Sequence, residues 1–184
     1  TDGALSASAE LLITVTGVND APVAVANTNA VLENGAIDLA AASSVLGDDA
    51  DVDGDALTVS SIRTGNVAAT DGAQGEIGST LVGAYGVLTL NADGQYRYAT
   101  TASAVDGLAA GATAVDVFTY TITDGALSAS AELLITVTGV NDAPVAVADT
   151  LDATEDTPET YTAAQLVGND TDVENSELSL SSVT

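Results

Sequence analysis

The chain contains no cysteine, histidine, methionine or tryptophan, one phenylalanine, and two basic side chains, Arg63 and Arg97, so lysine is absent as well. Without cysteine there are neither disulfides nor thiolate metal sites, and the redox character of the compartment leaves no trace in the composition. Without histidine, lysine or cysteine, a general base or nucleophile would have to be a carboxylate or a hydroxyl, and nothing in the spacing favours a two-carboxylate glycosidase over ion binding. No enzyme is expected. Two arginines cannot neutralise a run of phosphates, which excludes nucleic acid and disfavours an anionic membrane surface. No apolar run approaches the roughly 20 residues of a membrane-spanning helix, so direct membrane insertion is not expected.

What is present is acid: 27 Asp and Glu give a formal charge of −25 in 184 residues. At 46% apolar residues with mean hydropathy +0.30, the chain nevertheless has the material for a core. The self-repulsion must be endured or neutralised from outside.

Residues 1–26, TDGALSASAELLITVTGVNDAPVAVA, recur letter for letter as residues 123–148, a period of 122 residues. A repeat that long implies one domain per period. The outline continues after each copy: LENG at 32–35 answers TEDT at 154–157, and GDDADVDGDAL answers GNDTDVENSEL. The expected organisation is the final strand of a preceding repeat in residues 1–17, a complete repeat in 18–140, and the first half of a following repeat in 141–184.

Within the complete repeat, runs rich in Val, Ile, Thr, Leu and Tyr alternate with Gly, Asp, Asn and Ser clusters. Strands are predicted near residues 22–32, 36–45, 56–62, 86–90, 95–99, 115–122 and 127–138. Phe118, Tyr120 and Ile122 share one face, as do Leu133, Ile135 and Val137, which makes them core candidates. Asn91–Gly94 suits a type I turn closed by a glycine at positive φ. The Gly-rich stretch 64–84 reads as an extended excursion, and the Ala-rich stretch 102–114 has room for one helical turn. Tyr96, Tyr98 and Tyr120 read as core or sheet-face residues rather than a sugar-stacking platform. Seven short strands in this length predict an all-β, two-sheet antiparallel sandwich of immunoglobulin type in tandem repeats.

Residues 85–145, YGVLTLNADGQYRYATTASAVDGLAAGATAVDVFTYTITDGALSASAELLITVTGVNDAPV, closely resemble the VCBS repeat of very large bacterial surface and secreted proteins. VNDAPVAVANTNAVLENG and GDDADVDGDALTV resemble the cadherin-like repeats of the same kind of protein. The resemblance implies an extracellular module of an RTX-type adhesin, exported by a type I system and stabilised by Ca²⁺. A departure is the absence of any glycine-rich nonapeptide ladder.

In such a sandwich, alternate loops gather at opposite ends. The leading end should hold Asn19 and Asp20 of the linker, Asp49, Asp51, Asp53 and Asp55, and Asp124. The trailing end should hold Glu33 and Asp106 beside the next linker's Asn141 and Asp142 and the next loop's Asp170, Asp172 and Glu174. Carboxylates crowded at a junction call for a hard cation with oxygen preference, and Ca²⁺ takes six to eight such ligands. Asp49-x-Asp51-x-Asp53-Gly54-Asp55 copies the start of an EF-hand loop, but Ser60 stands where the bidentate Glu belongs and no helices flank it, so an EF-hand is rejected. The alternative for each acid is a solvated turn. Pro22 and Pro144 follow the linker acids and favour an extended backbone there.

The expected function is that of a structural extender: modules joined end to end by Ca²⁺, with neighbouring repeats as partners, projecting a distal binding domain from a bacterial surface. The alternatives are a glycan- or protein-binding adhesion module, for which aromatic material is scarce, and a strand-exchanging extracellular filament subunit.

Overall fold

The computed structural model describes residues 3–38 and 44–182. The strands in chain order are β1 (Asn27–Leu32), β2 (Ala36–Asp38), β3 (Thr58–Thr64), β4 (Gln74–Gly75), β5 (Thr80–Val82), β6 (Gly86–Leu90), β7 (Tyr96–Thr100), β8 (Thr113–Thr123) and β9 (Ser128–Thr138). Two single helical turns are α1 (Ala102–Val105) and α2 (Ala163–Leu166). One sheet runs β1-β9-β8-β3-β4 and the other β2-β7-β6-β5. The result is a two-sheet sandwich, as the strand pattern predicts.

Period-two alternation builds the core. Phe118, Tyr120 and Ile122 of β8, with Leu133, Ile135 and Val137 of β9, are fully buried and face Leu88, Leu90, Tyr96 and Tyr98 of the other sheet. The Tyr98 and Phe118 rings meet edge to face at 6.3 Å. Buried tyrosines keep their hydroxyls satisfied: Tyr98 donates to Asp116 at 2.6 Å and Tyr120 to the Val25 carbonyl at 2.6 Å. Asp116, itself buried, also accepts the Ala84 and Tyr85 amides at 2.6 and 3.0 Å, pinning the β5–β6 turn to β8.

Three details depart from the sequence reading. The first strand starts at Asn27 rather than near Pro22, because Val23 bridges instead to Ala50. The predicted 36–45 strand is seen as Ala36–Asp38, and residues 39–43 lie outside the described set. The 64–84 excursion contains β4, paired with β3, and β5, paired with β6, so it crosses from one sheet to the other. The 91–94 turn closes as expected, with Gly94 at φ +77° and its amide donating to the Asn91 carbonyl.

The pairing of β1 with β9 is parallel, Asn27 opposite Leu133 and Leu32 opposite Thr138, whereas the other ladders are antiparallel. First and last strands therefore run the same way, and the chain enters at one end of the sandwich and leaves at the other. Eleven residues of β9 at about 3.3 Å each put those ends some 35 Å apart.

The exact duplication shows what a strand needs beyond its own sequence. Leu133, Ile135 and Val137 are 0% exposed in β9, whereas their identical counterparts Leu11, Ile13 and Val15 are 71–87% exposed, and residues 6–16 form no strand. The two copies share their letters and differ in their neighbours: β1 and β8 flank residues 128–138, and no described strand flanks residues 6–16.

Candidate metal centre

At the trailing end, Glu33 follows β1 in a turn, its amide donating to the Thr138 carbonyl at 2.8 Å. Its Oε2 accepts the Val140 amide at 2.9 Å, which fastens the side chain to the start of the linker. Asp106 comes from the loop after α1, and Asp142 from the linker. Each of these three offers a carboxylate oxygen within 4.8 Å of the others, and Glu33 is only 3% exposed. Asp142 is tied to the following segment in turn, its amide donating to Glu174 Oε1 at 2.8 Å. Beside them lies a cleft of about 490 Å³ lined by Asn34, Asp106, Asp142, Val145, Asp172 and neighbours.

Glu33 Oε1, Asp142 Oδ2 and Glu174 Oε2 are buried atoms without a hydrogen-bond partner. Burial pushes the Glu33 carboxyl above its ordinary pKa; the Val140 amide opposes the shift, and neighbouring Asp142 and Asp106 add to it. The one ion pair among the described residues, Arg97 with Asp38 at 3.0 Å, lies on the outer sheet face. Buried carboxylate oxygens with no donor are suited to a hard cation, and the all-oxygen donor set fits Ca²⁺ or Mg²⁺ rather than a thiolate- or imidazole-seeking metal.

At the leading end the same scaffold recurs. Asp20 donates its amide to Asp53 Oδ2 at 2.8 Å, as Asp142 does to Glu174. Val25 donates to Asp49 Oδ1 at 2.7 Å, as Val147 does to Asp170 Oδ1 at 2.8 Å. Asp51 Oδ1 accepts the Asp53 and Asp55 amides, and Asp172 Oδ1 that of Ser176. The bridge of Val23 to Ala50 is matched by that of Val145 to Thr171. The second turn of this scaffold needs a left-handed residue, supplied by Gly54 (φ +81°) and by Asn175 (φ +59°). Asp49 Oδ2 and Asp51 Oδ2 are again buried without partners, and burial raises the Asp49 pKa. Asn19 donates from Nδ2 to Asp124 Oδ2 at 3.0 Å, joining the linker to the β8–β9 turn. The Leu127 and Ala126 amides, then Asn19, hold the Asp124 carboxyl below its usual range.

The structure thus places Asn19, Asp20, Asp49, Asp51, Asp53 and Asp124 together at the leading end. It places Glu33, Asp106, Asp142, Asp172 and Glu174 together at the trailing end. Asp55 has an exposed side chain and enters only through its backbone amide. Asp170 braces Val147, and Asn141 donates to the Asp142 carbonyl rather than to a carboxylate. Among the described residues, the close group of three carboxylates is Glu33, Asp106 and Asp142. Asn34, which lines the cleft at a left-handed φ of +60°, was not foreseen; its place beside Glu33 was the one hint in the sequence.

The family model for a bacterial cadherin-like domain matches residues 19–139, and that for a cadherin-like domain matches residues 140–184. The chain belongs to the bacterial cadherin-like family. Its members are typically extracellular and generally bind calcium, and no helix among the described residues is long and apolar enough to cross a membrane. Comparison with curated proteins gives no significant match. Among solved structures, the chain is similar to the endo-fucoidan hydrolase MfFcnA4 of glycoside hydrolase family 107, at 25% identity and TM-score 0.32, over 69% of this chain and 15% of that one. A second, MfFcnA9, matches at 23% identity and TM-score 0.30 over 67% of this chain and 16% of that one. This cadherin-like chain therefore spans about a sixth of the enzymes it matches.

Proposed function

We propose that this cadherin-like chain is an extender segment of a bacterial surface adhesin, in which Ca²⁺ bridges consecutive sandwich modules into a stiff rod that carries a distal binding domain. The observation that carries the reading is the trailing-end cluster: carboxylates from the complete module, Glu33 and Asp106, meet Asp142 of the next linker within 4.8 Å, and buried oxygens on Glu33, Asp142 and Glu174 lack donors. Glu33, Asp106, Asp142 and Glu174 would hold the ion, with Asp172 and Asp170 behind them. The ion supplies charge neutralisation and a fixed joint; the chain's own residues position its ligands, through the Val140–Glu33 and Asp142–Glu174 hydrogen bonds. The leading-end carboxylates Asp49, Asp51 and Asp53 would serve the joint with a preceding module. The exposed Leu11, Ile13 and Val15 fit that arrangement, since a sandwich flanking them would bury them as β9 is buried.

Extracellular modules bind Ca²⁺ at about 10⁻⁴ to 10⁻³ M, so such joints stand empty in a cytoplasm and fill outside. Catalysis is no part of the reading. The test is a thermal melt paired with small-angle X-ray scattering, in chelator and at millimolar Ca²⁺. A higher melting temperature with a longer, stiffer particle supports the extender, and no change in either refutes it.

A further inference from the structure

Asn34 sits at φ +60° directly before Gly35, in the turn that follows β1. A Cβ on Gly35 would lie 2.7 Å from the Leu32 carbonyl oxygen and 2.9 Å from Val31, so the turn after β1 is tight against this residue. The left-handed position before it accepts Asn or Asp more readily than other side chains. The result is an Asn-Gly dipeptide whose exposed Asn34 lines the same cleft as Asp106, Asp142 and Asp172. One period later the corresponding position is Asp156, at φ +63°, so a carboxylate is compatible with this turn.

We propose that Asn34 is a modification site, deamidated by its own backbone, and that the product adds a carboxylate to the cation cleft and tightens it. The proposal rests on the cation-joint reading above. In the first step the Gly35 nitrogen loses its proton to solvent base and attacks Asn34 Cγ. The new C–N bond closes a succinimide, and the Cγ–Nδ2 bond breaks with loss of ammonia. Water then opens the ring at either carbonyl, leaving an aspartyl or isoaspartyl linkage, and both products carry one new carboxylate. No oxidation state changes. Glycine favours the step because no side chain obstructs its nitrogen. The reaction is gated by the turn: the Gly35 amide donates to the Leu32 carbonyl at 3.1 Å and must be released before it can attack. An ion held by the adjacent Glu33 stiffens that turn, so occupancy protects Asn34.

The experiment uses the 184-residue chain, incubated in mildly alkaline buffer with chelator or with Ca²⁺ and followed by peptide mapping. The expected result is an amide-to-acid mass change at position 34 that accumulates several-fold faster in chelator. Titration calorimetry on Asn34→Asp should show Ca²⁺ held several-fold more tightly, because a unit negative charge joins the lining of the cleft and attracts a divalent ion. Asn34→Gln, which keeps the amide, should bind as the parent chain does. No mass change at position 34, or an Asn34→Asp affinity no greater than the parent's, overturns the proposal. Failure of the parent chain to bind Ca²⁺ overturns the joint reading instead, and the mass change at Asn34 would still be scored in chelator.

Discussion

Replacing Glu33 with Gln should stabilise the protein in chelator and destabilise it in Ca²⁺, an inversion that a merely structural role would not produce. Each pair of charges 4.8 Å apart repels by about 1 kcal/mol at the dielectric of water and about 3–4 kcal/mol at an effective value of 20. Neutralising Glu33 removes its repulsion with Asp106 and with Asp142. Taking the figure for the dielectric of water, the two contacts together give about 2 kcal/mol gained, or about 5 °C in melting temperature. The glutamine oxygen still accepts the Val140 amide, and its NH₂ group faces Asp142 as a donor, so the packing of the turn is retained. In Ca²⁺ the balance reverses. At about 100 times its dissociation constant an ion adds about 2.7 kcal/mol to the parent chain, and Glu33→Gln forfeits most of that gain. Differential scanning calorimetry of both chains in both buffers decides the matter. A shift of the same sign in chelator and in Ca²⁺ would refute the reasoning.

The pH dependence follows from the same group. Because burial holds the folded-state pKa of Glu33 above the ordinary carboxyl value of about 4.5, this group binds more protons in the folded apo protein than in the unfolded chain between those two values. In chelator, stability should therefore rise as pH falls from neutrality towards about 4.5 and decline as pH climbs through the raised pKa, whereas in Ca²⁺ acidification should weaken it; melts across pH in both buffers read this out. Asp116→Ala leaves the Ala84 and Tyr85 amides and the Tyr98 hydroxyl without their acceptor, and should cost about 3–5 kcal/mol equally with and without Ca²⁺, measured by urea unfolding. Gly94→Ala combines a φ of +77° with a Cβ only 2.1 Å from Ser44 Oγ, and should cost about 1–3 kcal/mol in the same assay.

Local periodicity made the long strands legible, since Phe118, Tyr120 and Ile122 alternate with polar neighbours over enough residues to declare a face. It could not declare β4 and β5, which are two and three residues long and owe their existence to β3 and β6 across the sheet. Nor could it declare the parallel β1–β9 pair, because alternation says which face a residue takes and not which strand lies beside it. For the site, residue type and spacing marked the acids, but Glu33 and Asp106 stand 73 positions apart and meet only because their two loops lie at one end of the sandwich. Asn34 escaped because an uncharged side chain in an acid-rich loop carries no obvious metal signal.

In the proposed extender, that parallel pair is also what would turn a pattern of acids into a joint. In an antiparallel first-and-last arrangement, the incoming and outgoing linkers would share one end of the module, and their carboxylates would pile onto a single pole. With β1 and β9 running the same way, Asp20 meets Asp53 at one end while Glu33 meets Asp142 at the other. The sheets between them hold few acids: Asp38 is paired with Arg97, Asp116 is buried among donors, and Glu132 accepts the Val67 amide. The charge of −25 is thus concentrated at the ends and in the loops rather than spread over the flanks. Neutralising the ends with a divalent cation removes repulsion along the axis, which is where a repeating module must be joined if copying it is to lengthen the protein.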